Sequence, residues 1–407
     1  MHTLEDYRTI VGDDVVRDIH RNARYFYDKR IVHVNSTYQG GGVAEILNSL
    51  LPLMHDIGID AGWRILHGNP DFFTITKKFH NALQGQHIHF TKRKKELHME
   101  TNETFSKYMH VRHDCVIVHD PQPLPLIKFY QKRQPWIWRC HVDLSHPDKD
   151  VWDYISNFLL RYDLVILSHE SYKKKDLPVE QWIVHPAIDP LSLKNMEISE
   201  KDMSHCLNKA GVPRDKPIIT QISRFDKWKD PEGVIKIFTH VKEKVDCRLV
   251  LCGNMATDDP EGQEVYDNVV QAVKDLDEKG DIILITDPMS SNFIFINTLQ
   301  RISDVVIQKS TREGFGLTVT EALWKGTPVV ASNVGGIPLQ ITDGENGFLL
   351  DPDDTKGFAN AIVEILKDRD LANDMGKKGK EHVRKKFLIT RLLLDYMDLL
   401  KYILENQ

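Results

Sequence analysis

A chain of 407 residues is longer than a single hydrophobic core usually supports, so two domains of comparable size are expected. An apolar fraction of 41% beside 28% charged residues excludes the disordered and fibrous classes. A formal net charge of -6 excludes a general attraction to nucleic acid or to an anionic membrane, so any phosphate site has to be built locally.

Residues 1–21 are studded with Asp, Glu and Arg and lack the apolar stretch of a secretory signal. No run of about eighteen apolar residues follows, so a spanning helix is not expected and the cytoplasm is the default compartment. Short β-branched runs then alternate with amphipathic stretches, the pattern of βαβ units in α/β proteins whose parallel sheets are covered on both faces. In the first half the clearest strands are 31–34, 114–118, 136–140 and 164–167. Gly40, Gly41 and Gly42 follow the first of these and precede an amphipathic run from Val43. This is either a strand–loop–helix phosphate turn or a simple tight turn, and it lacks the G-x-G-x-x-G spacing of dinucleotide folds. His119 and Asp120 follow the second strand, and His141 and Asp143 the third, so all four are expected beyond the carboxyl ends of one sheet. A plain structural hydrogen bond is the alternative for each histidine. His141, Asp143, His146 and Asp148 are dense in potential metal ligands, but no further ligands in recognisable spacing accompany them, so no metal site is expected.

A domain change is placed at the Pro-Ala-Ile-Asp-Pro stretch 186–190, which opens a polar segment running to Pro213. The expected domains are 1–190 and 191–387, each doubly wound. Strands of the second domain are expected at 217–222, 247–252, 282–285, 305–308 and 328–331. Residues 389–404 carry Leu, Tyr and Met at helical spacing and read as an amphipathic helix. Periodicity does not show which domain it covers; residues 388–407 are assigned to a return onto the amino-terminal domain. The five cysteines form no C-x-x-C pair and read as reduced thiols.

The stretch 312–331 reads loop, helix, turn, strand. Gly314 and Gly316 allow close backbone approach, and the N–H groups of Leu317, Thr318 and Val319 fall in the first helical turn. A helix start of this kind suits a diphosphate, with the hydroxyls of Thr318 and Thr320 as additional donors. Glu313 precedes the turn and Glu321 lies within the helix, so one carboxylate can reach the sugar of a nucleotide sugar and the other its ribose. The plainer alternative is a helix-start carboxylate and a solvated helix residue. Arg224 and Lys229 sit on the loop after strand 217–222, where two fixed cations would stabilise a departing diphosphate, unless they are simply solvated. The basic clusters at 92–95, 173–175 and 384–386 read as solvated faces.

Glu-x7-Glu within E-G-F-G-L-T-V-T-E-A, residues 313–322, resembles the signature of retaining GT-B glycosyltransferases of family four. The fuller wording is carried by I-S-R-F-D-K-W-K at 222–229, V-H-V-N-S at 32–36, G-G-G-V-A-E-I at 40–46, V-H-D-P-Q-P at 118–123 and W-R-C-H-V-D-L at 138–144. It is similar to that of the archaeal and bacterial trehalose glycosyltransferring synthases over nearly the whole chain. The resemblance implies two Rossmann-like domains facing across a cleft, and retaining transfer of glucose from UDP-, ADP- or GDP-glucose to glucose. Arg224 and Lys229 would hold the diphosphate and Glu313 the outer hydroxyls of the transferred sugar. Gly314, Phe315, Gly316, Leu317, Thr318 and Glu321 would line the donor site, with Gly41 and Gly42 against the diphosphate and the acceptor. His141 would bond the glucose near its primary hydroxyl, while His119, Asp120, Gln122, Asp143 and Asn35 shape the acceptor pocket. Base contacts are expected around Gly253 and Ile285, through backbone and apolar groups. The resemblance implies no tightly bound cofactor, no divalent metal, small sugars as partners and a homodimer.

Three rival readings stand beside this one. A trehalose-type phosphorylase would place inorganic phosphate where the donor phosphate sits. An epimerase on the same fold is disfavoured by the Glu-x7-Glu wording, and a catalytically silent sugar-nucleotide-binding protein by the intact set Arg224, Lys229, Glu313 and Glu321.

Overall fold

The β-branched runs form two parallel sheets. In the first, β1 (Arg30–Asn35), β2 (Asp60–Ile65), β3 (Cys115–His119), β4 (Trp136–Arg139), β5 (Leu164–Leu167) and β6 (Glu180–Ile183) lie in the order β2-β1-β3-β4-β5-β6. In the second, β7 (Ile218–Ile222), β8 (Arg248–Cys252), β9 (Ile282–Ile285), β10 (Val305–Gln308), β11 (Val329–Ser332) and β12 (Phe348–Leu350) lie in the order β12-β11-β10-β7-β8-β9. The computed structural model describes residues 2–39, 41–253, 260–276, 280–286, 289 and 291–406. The chain divides into two compact units, residues 1–187 together with 387–407, and residues 188–386. Each is an α/β unit built on one parallel sheet.

The central strands are buried along their whole length, which is why they read as unbroken apolar runs. Three further strands, β2, β6 and β12, are absent from the set expected from sequence. Each lies at a sheet edge, where partial exposure dilutes the apolar signal. β3 runs one residue further than expected, so His119 is its last residue and points into the sheet's surroundings, not onto a loop.

In both sheets the winding reverses next to the first strand. β1 is flanked by β2 and β3, and β7 by β8 and β10. Crevices beyond the carboxyl ends of strands at such a reversal are where ligands of open α/β sheets bind. The loops after β1 and β3, and after β7 and β10, are therefore the places to look for chemistry.

The closing helix Ile389–Glu405 packs in the first unit against helices Asp13–Ala23 and Gly42–Asp56. It buries Leu392, Leu393, Tyr396, Met397 and Leu400, the apolar face of its 3.6-residue period. Arg391 Nη2 anchors it by donating to the carbonyls of His185 (2.9 Å) and Pro186 (3.0 Å). Among the described residues no helix is long and apolar enough to cross a membrane. All five cysteines are free thiols.

In the second unit, helices Leu317–Trp324 and Arg369–Lys386 approach closely, and a Cβ on Gly376 would stand 2.0 Å from the carbonyl oxygen of Gly326. Gly376→Ala is expected to destabilise the protein by about 1–3 kcal/mol, through overpacking. A lowered urea midpoint checks this; an unchanged midpoint would contradict the contact.

Candidate active site

In the second unit the site grows from two neighbouring strand ends. After β7 the chain turns at Asp226, whose Oδ1 accepts the Trp228 N–H at 2.9 Å and whose Oδ2 faces Arg224 Nη2 at 3.4 Å. The Arg224 side chain remains 56% exposed. Lys229, at the end of this turn, places its ammonium 2.5 Å from Glu313 Oε2, with the two side chains only 17% and 12% exposed. Ser310 Oγ and Gln308 Nε2 donate to the same oxygen at 3.2 and 3.4 Å. Gln221 on β7 ties the two loops together. Its Nε2 donates to the Lys229 carbonyl at 3.0 Å, and its Oε1 accepts the Lys309 N–H at 3.2 Å. The Thr311 N–H adds a bond to the Trp228 carbonyl at 2.8 Å. Lys229 and Glu313 are thus brought together by backbone stitching, and Gln221, Gln308 and Ser310 are contributors that sequence reading missed.

The turn from Glu313 into the helix needs glycine. Gly316 has φ 89°, and a Cβ there would meet Glu313 Cγ at 3.3 Å. Helix Leu317–Trp324 starts directly after it, presenting the positive end of its dipole. Two expected donors are already used. The Val319 N–H donates to the Gly316 carbonyl at 2.9 Å, and the Thr320 hydroxyl donates to Gln340 Oε1 at 2.6 Å in the core. The first-turn donors left for an anion are those of Leu317 and Thr318. Phe315 is buried and its carbonyl accepts from Gln340 Nε2 at 2.6 Å, so its ring belongs to the core and only its backbone, with that of Gly314, borders the turn.

Glu321 is not a solvated helix residue: it is 1% exposed. Its Oε1 lies 2.9 Å from Lys194 Nζ, and its Oε2 accepts from Gln300 Nε2 at 3.1 Å. Lys194 carries no motif and was not foreseen. Lys325, one turn on, donates to Asn195 Oδ1 at 2.9 Å, and burial pulls its pKa down to about 7. Gly253 and Ile285 have structural duties. A Cβ on Gly253 would lie 1.9 Å from the Ser223 carbonyl oxygen, and the Gly253 N–H donates to the Ile285 carbonyl at 2.9 Å. The Ile285 side chain is packed in the core, so it offers no apolar face to a base.

In the first unit the reversal at β1 and β3 gathers histidines. Alternation along β1 puts His33 and Asn35 on one face. His33 Nδ1 lies 3.0 Å from His119 Nε2, and His119 Nδ1 lies 3.0 Å from His141 Nε2. Both ring nitrogens of His119 are therefore engaged by histidines. Asn35 is also committed: its amide donates to the Thr37 carbonyl at 2.6 Å and accepts the Trp63 indole N–H at 2.7 Å. It holds the loop that leads to Gly41, whose φ of 83° opens helix Gly42–Asp56; Gly40 lies outside the described residues.

Asp120 has φ 63°, a left-handed conformation costly for this residue type and concentrated at functional sites. It is locked there by three bonds. Its N–H donates to the Arg139 carbonyl, its carbonyl accepts the Trp138 indole N–H, and its Oδ1 accepts the His141 N–H at 2.8 Å. Asp143 Oδ1 accepts both the N–H and the hydroxyl of Ser145, so it builds its own turn. The Gln122 carbonyl is held by His98 and Asn102, while its Oε1 is buried without a hydrogen-bond partner among the described residues. Asp148 caps helix Lys149–Leu159 and pairs with His87 at 2.8 Å. Among the described residues no three His, Cys, Asp or Glu are grouped to hold a metal ion.

Residues 33–174 match the family model described as trehalose synthase, N-terminal domain, and residues 206–382 match that of the glycosyl transferases group 1. The chain is 46% identical to a trehalose synthase of Thermococcus litoralis, over 98% of this chain and 96% of that protein. It is 30% identical to a trehalose phosphorylase of Grifola frondosa, over 93% of this chain and 58% of that protein. A sucrose-phosphate synthase from Thermosynechococcus elongatus shares the fold with a TM-score of 0.73 at 18% identity, covering 93% of this chain and all (100%) of that one. So does an Anabaena protein solved with UDP and glucose, with a TM-score of 0.68 at 17% identity, 92% and 100% covered.

Burial pushes the Asp120 carboxyl up to about 7. The folded protein then keeps a proton that the unfolded chain releases near pH 4, so stability falls as pH rises from about 4 to about 7. Asp120→Asn keeps an oxygen for the His141 N–H and tolerates the left-handed backbone without the charge. It is expected to be more stable than the parent at pH 8, by at most about 4 kcal/mol, with the difference vanishing near pH 4. Urea unfolding at both pH values checks this; an equal difference at both would contradict it.

Proposed function

The chain belongs to the trehalose synthase family of GT-B glycosyltransferases, and from that premise we propose that it moves glucose from a nucleoside-diphosphate glucose to the anomeric hydroxyl of free glucose, giving α,α-trehalose with retained configuration. The observation that carries this reading is the Lys229–Glu313 pair beside the Gly316 helix start. One member offers a cation to a phosphate, the other a carboxylate to sugar hydroxyls, and the helix start offers N–H donors. A nucleotide sugar carries all three complementary groups within one molecule.

In this proposal the diphosphate lies on Lys229, Arg224 and the N–H groups of Leu317 and Thr318. As the bond from the anomeric carbon to the phosphate oxygen breaks, charge grows on that oxygen and the fixed cations stabilise it without a metal. The acceptor's hydroxyl oxygen bonds the anomeric carbon from the same face, and its proton passes to the leaving phosphate oxygen. Glu313, given to the outer sugar hydroxyls in this proposal, is not placed beneath the anomeric carbon as a nucleophile, which supports same-face attack over a covalent intermediate on it. Glu313 then binds the outer hydroxyls of the glucose, Glu321 the ribose in competition with Lys194, and His141 the primary hydroxyl region.

The similarity to a trehalose phosphorylase supports a second reading, in which inorganic phosphate attacks trehalose and glucose phosphate is released. This chain spans 58% of that protein's length. An assay with nucleoside-diphosphate glucoses against a panel of acceptors separates the two: the first reading requires nucleoside diphosphate and trehalose together, the second glucose phosphate from trehalose without nucleotide. Glu313→Ala and Arg224→Ala are each expected to lower turnover about a hundredfold or more. Near-parental rates would overturn the assignment of these residues. Glu321→Gln is expected to raise the donor KM with little change in kcat, and an unchanged donor KM would remove the ribose role.

A further inference from the structure

Imidazoles on β1, at the end of β3 and on the loop just after β4 stand in line in the first unit, and of the three His141 is partly open to solvent. The rings are near-parallel and meet edge to edge, with centroids 5.2 Å apart at 24° between His33 and His119, and 5.3 Å apart at 16° between His119 and His141. The order β1-β3-β4 in the sheet produces the row. The groups around it are Tyr396 of the closing helix, 5.9 Å from the His33 ring, Arg139 on β4, the Asp120 carboxylate and His80.

Each nitrogen-to-nitrogen contact of 3.0 Å is a hydrogen bond and holds one proton. Three neutral rings satisfy both contacts in only two ways. In one, His33 and His119 both donate from Nδ1, and His141 keeps its proton on Nδ1, pointing out of the row. In the other, all three carry the proton on Nε2, and His141 presents only a lone pair outwards. A charged His119 donating in both directions would also satisfy the row, but burial and the nearby Arg139 hold its pKa well below the ordinary value.

The far end of the row decides between the two. His33 is fully buried, and its Nε2 has no hydrogen-bond partner among the described residues. The second arrangement places an N–H at that nitrogen with nothing to accept it, whereas the first leaves only a lone pair unmatched. Buried N–H groups without an acceptor are the rarer and costlier case. We propose that His33 and His119 are positioning residues that lock His141 as an Nδ1–H donor, aimed at an oxygen of the transferred sugar. The sugar contact rests on the function proposed above; the proton order does not.

The test is nitrogen-15 NMR of the full-length protein with labelled histidine at pH 7.5, which separates protonated from unprotonated ring nitrogens. Wild type is expected to show His141 protonated on Nδ1 and not on Nε2. His33→Leu removes the donor to His119 and is expected to leave His141 as a mixture of tautomers, with kcat lowered about tenfold and donor KM nearly unchanged. His33→Asn, whose amide places an N–H near the Nδ1 position, is expected to restore both the tautomer and most of the turnover. A proton on His141 Nε2 in wild type overturns the proposal, whether or not either variant folds. So does a tautomer unaltered in His33→Leu. If the tautomer shifts in His33→Leu while turnover stays at the wild-type level, the aim at the sugar is overturned along with the glucose contact assigned to His141, and the proton order stands.

Discussion

The second unit is organised around one ion pair, Lys229 with Glu313, drawn from loops after adjacent strands and shielded to below one-fifth exposure. Two charges in that setting lose hydration, and the hydrogen bonds that Ser310 and Gln308 give to the same carboxylate oxygen offset part of that loss. A pair of this kind is a weak source of stability but a strong device for exchange. A ligand that brings its own anion and its own hydroxyls can take both partners without leaving either charge unmatched. Gln221 holds the two loops in register, and Gly316 leaves room for the carboxylate stem.

The same topological device, used in the first unit, gives a different chemistry. There the strand ends at the reversal bear histidines whose burial keeps them neutral, with the pKa of His33 pulled down to about 3 and those of His119 and His141 well below the ordinary value. The backbone cost is concentrated at Asp120, the left-handed residue whose carboxylate fixes the His141 main chain. The second unit gathers a charged pair at its reversal, and the first gathers neutral imidazoles.

The interior strands were legible in the sequence because burial on both faces demands unbroken apolar runs, as in Cys115–His119 and Val305–Gln308. The edge strands Asp60–Ile65 and Glu180–Ile183 were not, since half-exposed residues carry no such demand. Glu313 and Lys229 were legible from motif wording. The burial of Glu321 was not, because its partner Lys194 lies in a polar segment without any pattern. Asn35 and Asp143, expected at the acceptor, also hold their own loops, a duty that short polar side chains at strand ends often take and that motif wording does not show. His33 could have been found from the alternation V-H-V-N, which puts it on the same face as Asn35. Composition alone gave no reason to look there.

In the proposed function the Lys229–Glu313 pair opens to receive a nucleoside-diphosphate sugar. A crystal structure with such a donor bound tests it most directly. Phosphate oxygens are expected within hydrogen-bonding distance of Lys229 Nζ and the N–H groups of Leu317 and Thr318, with Glu313 turned to sugar hydroxyls. A donor seated elsewhere, over an ion pair that has stayed closed, would contradict it.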